Sequence, residues 1–204
     1  MANRYLMTHS LLSSWLYCLK ENPYEDATSE KDQLQEFLTV LRREPTETTE
    51  AMRNGINFEN LVDAVARGVG DRNDKWFDAA YNVANRIRGG IPQVKINKQV
   101  EVSGYTLVLH GRLDWLKAGE IFDVKFTKNY DPGKYFDSTQ HPFYFELVPE
   151  ARCFTYLASN GNGVWPETYR RDESPSIFPI IADFLEWLTV TGYMDLYQKH
   201  WVAK

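Results

Sequence analysis

GRLDWLKAGEIFDVK, residues 111–125, reads as two β-strands joined by a tight turn at Ala118-Gly119. Side chains alternate faces along a strand, so Asp123 and Lys125 point the same way, and Phe122, Val124 and Phe126 point into the opposite layer. Asp114, near the end of the first strand, puts a second carboxylate on the charged side. Two carboxylates and an ammonium on one side of a hairpin are costly to bury. They suit the holding of a divalent metal beside a scissile phosphate, because Mg2+ prefers a few carboxylate oxygens plus waters to a closed protein cage. In that arrangement Asp114 and Asp123 bridge the ion and the Val124 carbonyl adds an oxygen. Lys125 then sits beside the metal-bound water or the pentavalent phosphorus. Taken alone, Asp123-x-Lys125 is a common pattern that equally describes a solvated Asp–Lys pair.

Outward from the hairpin, hydrophobic period and turn residues predict strands over Val94–Val102, Tyr105–Lys117 and Glu120–Thr127, with Ser103-Gly104 as the first turn. Helices are expected upstream over residues 9–20 with Ser10 as cap, Gln33–Arg42, Asn54–Arg67, and about Asp74 to Arg88, stopping at Gly89-Gly90-Ile91-Pro92. Downstream, residues 129–137 read as a loop, and Ser138 or Thr139 caps a short helix reaching Leu147. A hairpin, Cys153–Ser159 and Gly163–Arg170, turns across Asn160-Gly161-Asn162; helices follow beyond Pro175 and over Tyr193–Trp201. No internal repeat or low-complexity tract interrupts this order. It predicts an α/β (α+β) fold with a mixed central sheet flanked by helices. The 204 residues form one domain, with a core at about 50–170 and helical additions at 9–45 and 175–202.

Composition narrows the functional classes. A hydrophobic content of 43% supports a sizeable core, yet no run of about 18 apolar residues predicts a membrane span. The first residues, MANRYLMTHSLLSSWLYCLKEN, lack the cationic start and long apolar run of a secretory signal, so a cytoplasmic protein is expected. Cys18 and Cys153 are the two cysteines, which suits a reducing compartment and excludes a four-cysteine zinc or iron–sulfur site within the chain. The net charge of −5 disfavours a nucleic-acid partner, but its distribution does not. Glu21 to Glu59 carry ten acidic and four basic residues, whereas Arg86 to Lys134 carry nine basic and five acidic, Asp114 and Asp123 among the latter. A local positive field around the hairpin is therefore allowed.

Further pieces fall in order around the hairpin. Gly55-x-x-Phe58-Glu59 places a carboxylate at the edge of a preceding helix, with Phe58 turned inward. Gln140-x-x-x-Tyr144 puts an amide and a phenol one helical turn apart on one face, groups that suit phosphate and base contacts. The plain alternatives are a surface glutamate and ordinary helix surface with a half-buried tyrosine. His141 reads as a phosphate contact or a structural histidine; Arg112 as a phosphate contact or an ion-pair partner for an aspartate. Lys128 and Lys134 are candidate phosphate contacts in the loop after the third strand. Asp63 reads as a second carboxylate or a solvated helix edge, and Trp165 and Tyr169 as a base-stacking surface or buried core.

Glu59, Asp114, Asp123-x-Lys125 and Gln140-x-x-x-Tyr144, in that order over roughly residues 10–170, resemble the PD-(D/E)XK nuclease superfamily. The likeness is to the branch with RecB-type nuclease domains, exonucleases of CRISPR adaptation and phage recombination exonucleases. Ser10-Leu-Leu-Ser-Ser-Trp-Leu-Tyr-Cys18 also resembles the serine-to-cysteine segment that opens many such domains. The resemblance implies a restriction-endonuclease-like αβββαβ core and a Mg2+- or Mn2+-dependent DNA nuclease. Glu59, Asp114 and Asp123 are then metal ligands, Lys125 is the catalytic lysine, and Gln140 and Tyr144 contact DNA; the Val124 carbonyl as a further ligand and Lys128, Arg112 and His141 as further DNA contacts are candidates from the residues themselves. Leu113 stands where the name-giving proline falls, and the short spacing from Asp114 to Asp123 is met by a tight hairpin. The C-terminal cysteines of iron–sulfur relatives are missing, so no cluster is expected. The implied role is an exonuclease in phage or mobile-element DNA recombination or processing, in a bacterial host cell. The alternatives are a structure-specific or restriction-like endonuclease, or a non-catalytic binding module on the same fold. DNA is the implied partner, with a single-strand annealing or recombination protein as a second one. No membrane is implied, and an oligomer is compatible with the sequence.

Overall fold

The computed structural model describes residues 3–20 and 27–203, so part of the expected N-terminal helical addition, residues 21–26, lies outside the described residues. The first element is a strand, β1 (Arg4–Met7), that the periodicity does not predict, since four residues are too few to show alternation. Thr8 follows; its hydroxyl accepts the Leu11 N–H at 3.2 Å and starts α1 (His9–Cys18), so Thr8 is the cap and not Ser10. After α2 (Ala27–Leu41), Thr49 caps α3 (Glu50–Ala66) in the same way, accepting from Met52 N–H at 3.2 Å. This cap starts α3 four residues before the predicted Asn54. The α4 helix (Phe77–Ile87) begins later than the predicted Asp74, because the Asp74 carboxylate accepts the Trp76 N–H at 2.8 Å and holds a turn there.

Two left-handed turns then build the centre of the sheet. Ser103-Gly104 and Ala118-Gly119 have φ of +49°, +81°, +51° and +77°, the paired positive values that match the right-handed twist of a two-residue hairpin. They join β2 (Ile91–Val102), β3 (Tyr105–Lys117) and β4 (Glu120–Phe126). The helix α5 (Gln140–Leu147) leads to β5 (Cys153–Ser159), β6 (Val164–Arg170), α6 (Phe178–Val190) and α7 (Met194–His200). The outcome is an α/β fold in which, among the described residues, seven α-helices flank a mixed six-stranded sheet, as the order of elements predicts. Among the described residues no helix is long and apolar enough to cross a membrane.

Register at β3 creates the opening that matters for function. One edge of β3 pairs antiparallel with β2 along nearly its whole length, from Ile91 opposite Leu116 to Val102 opposite Tyr105. The other edge is shared. Parallel β1 takes Thr106 to Leu109, and antiparallel β4 takes only Trp115 to Lys117. Residues 110–114 therefore have no strand partner on that edge, and β1 and β4 flank a notch. Past Phe122, β4 leaves β3 and stays with β5 in parallel register to Phe126.

Two apolar layers cover the sheet. One gathers Leu107, Leu109, Leu113 and Ile121 with Phe143, Phe154, Phe184 and Tyr197 beneath α1, α5, α6 and α7. The other packs Phe58, Val62, Ala80, Val83 and Ile87 of α3 and α4 on Trp115, Phe122, Val124 and Leu157. Leu113 and Trp115, two residues apart, fall in opposite layers, so β3 turns over at Asp114. Gly111 lies just before that point, where a Cβ would collide with Tyr144 and Leu147 of α5. Its missing side chain lets α5 close over the notch.

Candidate active site

The notch collects the charged groups. On β4, Ile121, Asp123 and Lys125 face α5 while Phe122 and Val124 face α3 and α4, so the sequence-predicted alternation holds. Asp114 reaches across the splayed strands, and its Oδ2 accepts the Val124 N–H at 2.9 Å, replacing the β3 partner that this N–H lacks. Asp123 is 5% exposed; its Oδ1 accepts from the Gln140 side-chain amide. Lys125 Nζ stands 2.8 Å from Asp123 Oδ2 and forms an ion pair with it. Among the described residues the Lys125 ammonium is the one partner of this buried oxygen. A buried carboxylate oxygen that faces only an ammonium is a position that a metal cation can share.

Electrostatics point the same way. Burial, then the charges of Asp123 and Glu59, push the Asp114 carboxyl up to about 8, against the Val124 N–H and Lys125. Burial pulls the Lys125 ammonium down, but Asp123, Asp114 and Glu59 outweigh it and hold the group above its ordinary value, so it is a cation. Glu59 stands at the α3 edge, as its neighbour Phe58 packs fully inward; its Oε1 accepts from Gln93 Nε2 at 3.0 Å. The three carboxylates do not close into a ready-made ligand set: among the described residues no three His, Cys, Asp or Glu side chains form a metal-holding group. They are nevertheless near enough that Asp123 and Glu59 both disfavour charge on Asp114. The donor set, carboxylate oxygens gathered around a buried aspartate, fits a hard divalent ion.

The residues assigned to DNA contact divide into two groups. Gln140, Tyr144 and His141 are 6%, 4% and 2% exposed, so they face the protein rather than a nucleic acid. Gln140 holds Asp123, and the Tyr144 hydroxyl donates to the Arg112 carbonyl at 3.0 Å, satisfying part of the unpaired β3 edge. His141 stacks on Tyr169 at 4.2 Å and lies 3.3 Å from the Tyr156 hydroxyl. The helix carrying them, QHPFYFEL, is buried almost all round, which is why spacing alone misplaces them. Arg112 and Lys128 do lie at the surface. Arg112 sits opposite the equally exposed Lys95 in the β2–β3 register, beside a cavity of about 370 Å³ lined by Ile56, Glu59, Asn60, Asp63, Gln93 and Trp115.

Three other candidates have structural work. Lys134 is tied to Thr127 and Asn129, Asp63 pairs with Arg67 at 2.9 Å, and Trp165 stacks on Tyr130 at 5.4 Å. Two residues went unread in the sequence. His9 follows β1 directly, so the strand carries it to the notch, where its ring packs 5.4 Å from Tyr144 and its carbonyl accepts from Thr139. Burial, then the Lys125 charge, pushes it down to about 4 against Asp123. The other is Gln93, which falls inside β2 because that strand starts at Ile91, three residues before the predicted Val94.

His141 carries a pH signature. Burial pushes its imidazolium down to about 4 from 6.5, with Glu167 opposing. A folded value below the unfolded one means that the fold selects the neutral ring. Its contribution is complete above pH 6.5 and is lost as pH falls from there toward 4, at about 1.4 kcal/mol per pH unit. Thermal unfolding between about pH 7 and pH 5 is expected to show this loss. The slope should be reduced but not abolished in His141→Phe, since His9 shares the shift. Equal slopes in both proteins would assign the acid sensitivity to other groups.

Comparison with known proteins adds a fold and no more. No family model matches the chain, and no curated protein matches it. A crystal structure of SSO0001 superposes with a TM-score of 0.54 at 13% identity, over 94% of this chain and 78% of that one. The likeness is one of fold. It spans nearly the whole of this chain, so the overall arrangement recurs in a chain of largely different sequence.

Proposed function

We propose that the protein is a Mg2+- or Mn2+-dependent deoxyribonuclease that hydrolyses phosphodiester bonds. The observation that carries this reading is the Asp123–Lys125 pair on one face of β4, with the buried Asp123 Oδ2 facing the Lys125 ammonium beside Asp114 and Glu59. Glu59, Asp114, Asp123 and the Val124 carbonyl are the oxygens that would hold the ion. A bound divalent ion neutralises phosphoryl oxygens and supplies an activated water. The chain's own residues do the rest. Gln140 fixes Asp123 by Oδ1 and turns Oδ2 to the Lys125 ammonium, where an ion would share it. Lys125, held as a cation, meets the charge that develops on the phosphate. Lys95, Arg112 and Lys128, exposed, meet the phosphodiester backbone and add affinity without reading sequence.

The narrower role, an exonuclease of phage or mobile-element DNA recombination in the cytoplasm of a bacterial host, rests on the resemblance to PD-(D/E)XK nucleases. The open carboxylate set favours a second reading, a non-catalytic DNA-binding module of the same fold. One assay separates them. End-labelled linear duplex, single-stranded DNA and covalently closed circular DNA are incubated with the full chain and Mg2+, Mn2+ or a chelator. Metal-dependent shortening of linear DNA with intact circles is expected. Nicked or linearised circles would make the enzyme an endonuclease. Binding without cleavage of any substrate would replace the nuclease by the module.

A further inference from the structure

Among the described residues, four that are not glycine have left-handed backbone: Arg43, Gln93, Ser103 and Ala118, at φ +57°, +53°, +49° and +51°. Three have an evident local reason. Ser103 and Ala118 are first residues of hairpin turns, and Arg43 follows the last turn of α2. Gln93 stands inside a strand, two residues into β2, where a side chain with a Cβ normally avoids this region. The ladder is interrupted there without a change of register: Pro92 pairs with Trp115 and Val94 with Leu113, and Gln93, opposite Asp114, makes no regular pair. Strained backbone of this sort persists where the surroundings over-determine it, and it concentrates at functional sites.

The strain aims the side chain at one target. Gln93 Nε2 donates to Glu59 Oε1 at 3.0 Å, across 34 residues of sequence, at the wall of the cavity shared with Arg112 and Trp115. A glutamine amide can fix one carboxylate oxygen without changing the charge of the site, which an arginine or lysine there would. Glu59 is the member of the acidic set that comes from a helix in another layer, so its side chain has the most freedom to lose.

Building on the nuclease reading, we infer that Gln93 is a positioning residue that orients the Glu59 carboxylate for a divalent ion, its left-handed backbone being what brings the amide within reach. Gln93 itself touches neither ion nor substrate. Its bond to Oε1 leaves Oε2 as the ligating oxygen, and it lowers the ordering cost when Asp114, Asp123 and Glu59 draw together.

The test is a double-mutant cycle on the full chain, read by Mn2+ titration calorimetry and by thermal unfolding without metal. Gln93→Gly keeps the backbone conformation, which glycine adopts freely, and removes the amide. Its metal-free melting temperature is expected to equal or exceed that of the wild type. Its Mn2+ affinity should fall about 10- to 100-fold, the usual cost of losing a partner that orients a ligand. Glu59→Gln should weaken Mn2+ binding too, and Gln93→Gly added to it should have no further effect, because the two act through one carboxylate. Wild-type affinity in Gln93→Gly, additive losses in the double variant, or tighter binding that shows Gln93 to hold Glu59 away from the ion would each overturn the inference. Those outcomes leave the nuclease reading standing. A wild-type chain that binds no Mn2+ would remove both.

Discussion

Lys125→Ala is expected to lower metal-dependent DNA cleavage by about 10²- to 10³-fold in kcat while leaving DNA affinity within a few-fold of wild type. Lys125 is held as a charged group by three carboxylates, and its ammonium stands beside the oxygen of Asp123 that has no other partner. Such a group acts on charge that appears only in the transition state. Its loss therefore falls on kcat and not on binding, which the exposed cations carry. The lysine is 33% exposed but Asp123 is buried, so losing the ammonium leaves a buried carboxylate without its counter-ion and should cost the metal-free fold about 3 kcal/mol. Added Mn2+ should recover that stability, since the ion replaces the ammonium at Asp123. Lys125→Arg keeps the charge, but its planar fork cannot occupy the same point, and substantial rescue is not expected. Unchanged cleavage by a well-folded Lys125→Ala protein would sink the assignment of Lys125 as the catalytic lysine.

The parts of this site that the sequence discloses are those set by local periodicity. Asp123 and Lys125 share a face because strand side chains alternate, and the Ala118-Gly119 turn is readable because a two-residue hairpin needs two left-handed residues. Phe58 and Glu59 separate into inward and edge positions by helical geometry alone. What escapes is whatever depends on a distant partner. Arg4–Met7 becomes a strand only because β3 offers it an edge, and His9 reaches the notch only as a consequence. Gln140 and Tyr144 have the expected spacing, but whether that face looks outward or at Asp123 is decided by the glycine at position 111, which lets α5 approach. The conformation of Gln93 is a property of backbone that no residue type announces, and glutamine is an uncommon choice for it.

Phe58→Ala is expected to destabilise the fold by about 3–5 kcal/mol, or roughly 6–20 °C in melting temperature for a chain of this length. The Phe58 side chain is fully buried, with its ring 5.2 Å from Phe126 of β4 and 6.2 Å from Trp76 at the start of α4. It joins three elements, and Trp76 itself rests on Phe126 at 4.6 Å, so the cavity left by alanine should not collapse without moving α3. That movement connects stability to the site. Glu59 is the next residue, and a small shift of the helix draws its carboxylate away from Gln93 and the aspartates. Mn2+ affinity should consequently fall even at temperatures where Phe58→Ala is fully folded. Phe58→Leu, which fills most of the space, should lose less than half as much stability and keep most of the affinity. A melting temperature near that of the wild type in Phe58→Ala would mean that α3 is seated by other contacts. Full Mn2+ affinity in a destabilised variant would mean that Glu59 is placed independently of the packing beneath it. The wild-type arrangement ties the two together because a carboxylate on a helix can serve a site on a sheet only if the residue next to it locks the helix down.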